Sequence, residues 1–453
     1  MIREMTTFLG GELAGYLLMG DNGICDFQYT DSFCRKGIEP SPLLMPAIAG
    51  RVYSFPGLGE ETFQGLPGMV ADSLPDSFGQ ALLEQWLEAD GKGANTFEKL
   101  SYMGKRCMGA LEYEPSRPLE RNESSKIEIE TLIETARKAL SDKEMFKTML
   151  KDKEKAILDI LKIGTSAGGQ RAKAVIAINE KTGEIRSGQV DAPEGFSHWI
   201  MKFDGFDSDG KPVTPSHHCR VEYAYHLCAI DAGIEMTDCK LMEESGRAHF
   251  LTRRFDRDGN KKIHVQTLCG LAHYDNRHKG AYSYEQAMAV ARRLSTGYGD
   301  TARLFRRMVF NVLAVNMDDH TKNISFLMDR NGKWSLSPAY DIAFSHNPKG
   351  LWADTHQMTV NGKRDNITRN DLLEVEARQG VKGADEIIKQ VEDALGGFQE
   401  KAKEAGVPDE VTRVLMDITR EKTLEVRKTL SPLIKPEITT STDTPSRLHI
   451  SRK

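Results

Sequence analysis

The segment from residue 301 to 315 constrains this chain more than any other. Leu304, Phe305, Met308, Val309, Val312 and Leu313 recur there at i, i+1, i+4, i+5, i+8 and i+9. Such a stripe is too wide for one exposed face, so the helix it predicts is largely buried. At Val315 the apolar run stops, and Asn316, Asp318, Asp319, His320, Lys322 and Asn323 crowd a short loop. Ile324, Phe326 and Leu327 then read as a strand, and Asp329-Arg330-Asn331-Gly332 as a turn. The returning arm, WSLSPAYDIAFS, brings Asp341 back beside the loop.

With 453 residues there is room for two to four domains around such a core. Residues 1–115 read as a mixed, turn-rich unit whose short β runs are separated by Gly10-Gly11 and Asp21-Asn22-Gly23. The segment 65–87 turns helical, with Phe78, Leu82, Leu83 and Leu87 on one face, and 114–126 is the linker candidate. Helical patterns over 128–141 and 143–162 precede a glycine-rich turn that runs into an apolar strand over 164–178. Lys181-Thr182-Gly183-Glu184 reads as a hairpin tip, 196–203 as a strand, 217–232 as a helix, and 239–243 and 248–255 as short strands. From about 283 the pattern is helical, ending in amphipathic helices near 384–405 and 408–430 and a Ser/Thr/Pro/Arg-rich tail from 436 that reads as disordered. A strand-rich segment before a helix-rich one gives an α+β, two-lobed order.

The formal net charge of −5 excludes a nucleic-acid-binding coat over the whole surface. No stretch approaches the ~18 apolar residues of a membrane span, and no signal-peptide core follows MIREMTTFLGGELAG. Cysteines at 25, 34, 107, 219, 228, 239 and 269 form no C-x-x-C pair. That argues against a zinc ribbon or redox dithiol, and for reduced cysteines in the cytoplasm.

Three local signals carry chemistry. Asp318 and Asn323 have the D-x-x-x-x-N spacing of a phosphoryl-transfer catalytic loop, in which the Asp accepts the substrate hydroxyl proton and the Asn holds magnesium. Mg²⁺ takes one or two hard oxygen ligands from the protein, and Asp341 is the natural second donor. The competing reading is a hairpin whose Asp and Asn merely make turns and cap strands. His320 reads as an orienting hydrogen-bonder, with metal ligation the alternative. The second signal is 164–173, where Gly168 and Gly169 let backbone N–H groups approach an anion and Arg171 and Lys173 supply positive charge. A plain turn suits it equally, and G-x-x-x-x-G-K-[ST] is absent. The third is Lys202 on an apolar strand, which with Glu222 on the next helix would form the lysine–glutamate pair of a kinase. Taken together these signals stand in kinase order.

At this point the chain resembles the HipA-type serine/threonine kinases of bacterial toxin–antitoxin modules. The resemblance rests on GLPGMVADSLPDSFG, SAGGQRAKA, HFLTRRFDR, IHVQTLCGLAH, NMDDHTKN and SPAYD, and covers roughly residues 1–400. It implies a two-lobed protein-kinase-like fold with a β-rich N-terminal subdomain and a helical C-terminal lobe. The implied units are a HipA-type N-terminal subdomain at 1–115, a nucleotide-binding N-lobe at 125–258, a helical C-lobe at 259–435 and a tail at 436–453. It implies Asp318 as general base, Asn323 and Asp341 as magnesium ligands, and Lys202 on the α/β-phosphates. Gly168, Gly169 and Lys173 would cover the nucleotide, Arg253 and Phe255 would lie at the adenine hinge with contacts through their backbone, and Thr165 or Ser166 would be autophosphorylated. The activity implied is ATP-dependent phosphorylation of a protein, such as an aminoacyl-tRNA synthetase, in the cytoplasm. The partner implied is a separate helix-turn-helix HipB-like antitoxin that brings operator DNA, with no membrane involved. A small-molecule kinase and a non-catalytic kinase-like subunit of a repressor complex are the alternatives.

Overall fold

The computed structural model describes residues 2–75, 79–80, 83–84, 87, 95–116, 173–204, 217–244, 246–294 and 297–427. The helices expected over 128–141 and 143–162, the glycine-rich turn with Thr165, Ser166, Gly168 and Gly169, and the tail from 436 lie outside them.

Strands β1 (Glu4–Leu9), β2 (Glu12–Met19), β3 (Cys25–Tyr29), β4 (Val52–Tyr53) and β5 (Leu111–Glu114) form an antiparallel sheet in the order β4-β3-β2-β1-β5. Gly10 and Gly11 have φ of 57° and 84°, the left-handed pair that a tight turn between twisted strands needs. Short helices α1 (Asp31–Cys34), α2 (Glu60–Phe63) and α3 (Gly68–Ala71) and the longer α4 (Thr96–Met103) complete this unit. Phe27, Leu17, Phe97, Leu100 and Tyr102, all without exposed surface, make its core. Ahead of the helical pattern expected toward residue 87, the short α3 ends at Ala71, and a turn runs through Asp72 and Ser73 to Pro75, whose ring is incompatible with a helix interior.

A second antiparallel sheet has the order β7-β6-β8-β10-β9, from β6 (Lys173–Asn179), β7 (Ile185–Ser187), β8 (Phe196–Lys202), β9 (Cys239–Glu244) and β10 (Arg247–Arg253). Gly183 has φ of 71° at the expected hairpin tip between β6 and β7. Helix α5 (His218–Asp231) packs on this sheet. A small hairpin of β11 (Arg257–Asp258) and β12 (Lys261–Lys262) leads to β13 (His264–Thr267) and α6 (Leu268–Ala272).

The helical part follows with α7 (Tyr284–Arg293), α8 (Tyr298–Leu313), α9 (Arg369–Gln379), α10 (Ala384–Gly396), α11 (Phe398–Glu404) and α12 (Asp409–Arg427). Helix α8 is the buried helix expected from its stripe: Leu304, Phe305, Met308, Val309 and Leu313 have no exposed surface. The single helix expected over 384–405 is two, because Gly396-Gly397 interrupts it where two flexible backbones weaken helix propagation. Strands β14 (Ser325–Met328) and β15 (Trp334–Leu336) form the expected hairpin, and β13 pairs with β14 as a third strand.

The N-terminal unit is tied to the rest at several places, among them these two. Asp256, with no exposed surface, accepts from Arg254, Arg257 and the Gly109 backbone N–H at 2.6–2.8 Å. Elsewhere α3 meets α6 so closely that a Cβ on Gly68 would lie 2.2 Å from the Gly270 carbonyl oxygen. Asp72 accepts there from the Thr267 N–H (2.7 Å) and hydroxyl (2.8 Å), while the Gly68 N–H donates to His273 Nε2 (3.1 Å).

Candidate active site

Helix α8 ends abruptly, and the loop after it is fastened by its backbone. Val315, β-branched and buried, stands at φ 57°, a region that side chains of its shape rarely enter. The Met317 N–H donates to Ser345 O (2.9 Å), the Ser345 N–H to Val315 O (3.1 Å), and the Tyr225 hydroxyl to Ala314 O (2.9 Å).

The two adjacent aspartates of this loop have opposite surroundings. Asp319 is buried and accepts from the Tyr284 hydroxyl (2.9 Å) and the Gln357 N–H (2.7 Å), with His356 Nδ1 at 2.8 Å. Burial works to raise its pKa, but His356 and these donors hold it below the ordinary carboxylate value. Asp319 is thus committed to holding the loop. The Asp318 side chain is 41% exposed against 1% for Asp319, so Asp318 is the carboxylate that an acceptor could reach. Its backbone carbonyl accepts from Asn323 Nδ2 (2.8 Å), so it is the Asn323 side-chain oxygen that is left to accept or ligate. Its Oδ1 accepts the indole N–H of Trp352 at 2.5 Å and lies 3.7 Å from His320 Nε2.

Opposite the loop, the second sheet supplies cations. Lys173 and Lys202 are register partners on β6 and β8, so their side chains leave the same face. Lys202 Nζ lies 2.5 Å from Glu222 Oε1 on α5 and also bonds Asp341 Oδ1. Burial opposes its ammonium, yet Asp341 and Glu222 raise its pKa above the ordinary lysine value. Asp341, at φ 52°, sits where β15 has led back to the loop. Burial would raise its carboxyl, but Lys202 and Lys173 hold it below the usual range. Asn323, Asp341, Asp319 and His320 line one cavity of about 20 Å³, room for one water.

The structure therefore brings together Asp318, Asn323, Asp341, Lys202 and Lys173, with Glu222 as the lysine's partner. A carboxylate and an amide oxygen meeting at one small cavity are hard donors of the kind Mg²⁺ takes beside phosphate oxygens. Among the described residues no cluster of three or more His, Cys, Asp or Glu side chains could hold a metal by itself. The side chains of Arg253 and Phe255 are not brought in. The Arg253 guanidinium pairs with Asp238 at 3.2 Å with half its surface exposed, and Phe255 rests on Tyr340 with ring centroids 5.6 Å apart. Thr165, Ser166, Gly168 and Gly169 lie outside the described residues. A far larger cavity, about 1250 Å³, opens elsewhere, among Gly10, Lys105, Glu112, Asp191, Arg257 and Asn260.

Sequence reasoning missed Trp352, the His356–Gln357 support of Asp319, and Asp72. Each is a single side chain far along the chain from the residue it serves, and none belongs to a periodic pattern.

Residues 5–114 match the family model of the HipA N-terminal domain, and residues 165–399 that of the HipA-like C-terminal domain. Over 156 residues the chain is 25% identical to "Putative kinase Y4dM" of Sinorhizobium fredii, covering 32% of this chain and 36% of that protein. Over 102 residues it is 32% identical to a "Putative kinase" of Haemophilus influenzae, covering 20% of this chain and 30% of that one. The chain thus spans about a third of the length of the curated relatives it matches. Among solved structures it is similar to a chain of the Shewanella oneidensis toxin–antitoxin complex of HipA, HipB and operator DNA. That match has a TM-score of 0.64 at 17% identity and covers 93% of this chain and 96% of the other, a likeness of fold.

Proposed function

The chain belongs to the HipA family, and from that premise we propose that it is an ATP- and magnesium-dependent serine/threonine protein kinase acting as a toxin-type growth regulator. The observation that carries the reading is the half-exposed Asp318, next to a buried twin that holds the loop, and bonded through its backbone to Asn323, which shares a cavity with Asp341 of the Lys202–Glu222–Asp341 ion cluster.

In this reading Asp318 takes the proton of an acceptor hydroxyl as that oxygen bonds to the γ-phosphorus. The bond from phosphorus to the bridging oxygen breaks, and ADP departs. Lys202, aimed by Glu222, pairs with the α- and β-phosphates, and Lys173 adds a second ammonium on the neighbouring strand. Asn323 and Asp341 hold magnesium, which neutralises phosphate charge when bound. Gly168 and Gly169 cover the nucleotide, and Arg253 and Phe255 contribute main-chain contacts near the adenine. Thr165 or Ser166 receives a phosphate in autophosphorylation.

The acceptor is a protein hydroxyl, with a translation enzyme such as an aminoacyl-tRNA synthetase as the target. The inhibitory partner is a small HipB-like helix-turn-helix antitoxin that also brings operator DNA, by analogy with the Shewanella oneidensis complex of HipA, HipB and operator DNA. No helix among the described residues is long and apolar enough to cross a membrane, and the proposed compartment is the cytoplasm.

The test is transfer from γ-labelled ATP by the purified full chain to itself and to proteins of a cell extract. Labelled protein should appear, and Asp318→Ala should reduce it by ~10²–10⁴-fold without moving the unfolding midpoint. Label confined to a small molecule would mean a metabolite kinase. No Asp318-dependent transfer would leave a non-catalytic subunit of a repressor complex.

A further inference from the structure

The carboxylate assigned as general base stands on a loop, 41% exposed, so something must fix its orientation. The indole of Trp352 does so in this structure, donating to Oδ1 at 2.5 Å. We propose that Trp352 is the positioning residue of the base, and that the segment 346–357 carrying it acts as a clamp that must be seated for the carboxylate to be aimed. This rests on the phosphoryl-transfer reading above.

The chemistry of the donor suits the task. An indole N–H donates and cannot accept, so it never competes for the proton that the base removes. It occupies Oδ1 and leaves Oδ2 for the acceptor hydroxyl, the base–orienter geometry of general-base sites.

The segment is seated through bonds that reach the same loop. The Gln357 side-chain amide donates to Trp352 O (2.7 Å) and Met317 O (3.2 Å), while its backbone N–H donates to Asp319 Oδ1 (2.7 Å). The Asn347 N–H donates to Ala353 O (2.8 Å). Lys279 Nζ lies 5.7 Å from the Trp352 ring centroid, 2.8 Å from Asp354 Oδ1, and bonds Leu351 O. The His320 ring meets the indole edge-on at 6.1 Å. Beside this anchored indole, Leu351 is 94% exposed, so the turn that bears the donor faces solvent, where an incoming partner or acceptor could move it.

The experiment uses the full chain and two readouts. The sequence holds four tryptophans, so the indole N–H resonance of Trp352 can be assigned in the NMR spectrum by its loss in Trp352→Phe. It should move on Asp318→Ala. A resonance indifferent to Asp318 overturns the contact. In kinetics, Trp352→Phe should lower kcat about 10- to 100-fold, the scale of a misplaced reacting group, with the ATP dissociation constant changed less than about twofold. An unchanged kcat, or an equal loss of ATP binding, overturns the positioning role. Absence of any Asp318-dependent transfer in the unaltered chain overturns the functional reading instead, and the resonance still decides the contact.

Discussion

Replacing Asp256 by alanine should weaken the fold more than any surface change, and the size of the effect follows from its contacts. Arg254 grips the carboxylate with Nε on Oδ1 (2.8 Å) and Nη2 on Oδ2 (2.7 Å), and Arg257 Nη1 adds a third bond at 2.6 Å. The side-chain exposures of Asp256, Arg254 and Arg257 are 0%, 0% and 7%. Alanine therefore leaves the fully buried Arg254 guanidinium, and Arg257 at the wall of the large cavity, without their counter-ion, which costs ~3–5 kcal/mol for a broken buried pair. The Gly109 N–H loses its acceptor as well, worth ~1–3 kcal/mol, although terms this close do not add fully. The expected loss is about 4–5 kcal/mol, a large share of the 5–15 kcal/mol typical of a folded protein. Urea titration followed by circular dichroism and tryptophan fluorescence would measure it, the two probes also showing whether the units separate before either unfolds. Burial pushes the Asp256 carboxyl up, yet the two arginines bring it well below the usual range. Its stabilising effect is thus present above the unfolded carboxylate value of about 4 and lost as pH falls toward the folded value. Unaltered protein should accordingly lose stability on acidification below pH ~4 by a component that the alanine variant lacks. A loss under about 1 kcal/mol at neutral pH would refute the reasoning, because it would mean that water reaches the arginines.

Two further outcomes follow from the site and its supports. Thermal stabilisation by ATP should require magnesium and be weakened in Asp341→Asn; a melting shift indifferent to chelator would count against the ligand assignment. Asp72, only partly exposed at the seam between α3 and α6, is raised to about 6 from 3.8, chiefly by burial and despite Lys322. Its contribution is fully present below pH ~4 and lost as pH rises through about 6, so ionisation there costs at most ~3 kcal/mol. The unfolding midpoint should fall from pH 5 to 7.5 more steeply in unaltered protein than in Asp72→Asn, and parallel curves would show that the carboxylate is not desolvated.

What the sequence made legible was local. The stripe of Leu304, Phe305, Met308 and Val309 is periodic, so α8 could be read directly, and the polar loop and hairpin after it followed from turn chemistry. Asp318 with Asn323, and Lys202 with Glu222, could be named because their spacing or element type is characteristic. The division of labour between Asp318 and Asp319 could not, since adjacent identical residues differ only in what the distant Tyr284, His356 and Gln357 do to one of them. Trp352 and Asp72 act through single long-range bonds that leave no periodic trace. The break at Gly396-Gly397 was visible as composition but was outweighed by the amphipathic pattern on either side. Backbone contacts decide whether a strand-end residue faces a cleft or solvent, so the outward turn of Arg253 was beyond periodicity too.

Val315 carries a consequence for how this chain can change over many substitutions. A β-branched residue at φ 57° holds ~1–2 kcal/mol of backbone strain, and glycine would relieve most of it at the price of a looser unfolded chain and a small buried void. Selection for thermal endurance alone would thus find position 315 an inviting place to mutate. Selection for the reaction would resist, because the same kink launches Met317 and Asp318 toward Ser345 and the cleft. The two pressures meet on one residue, and a library sorted first for heat resistance and then for turnover would reveal their conflict as opposite preferences at that site.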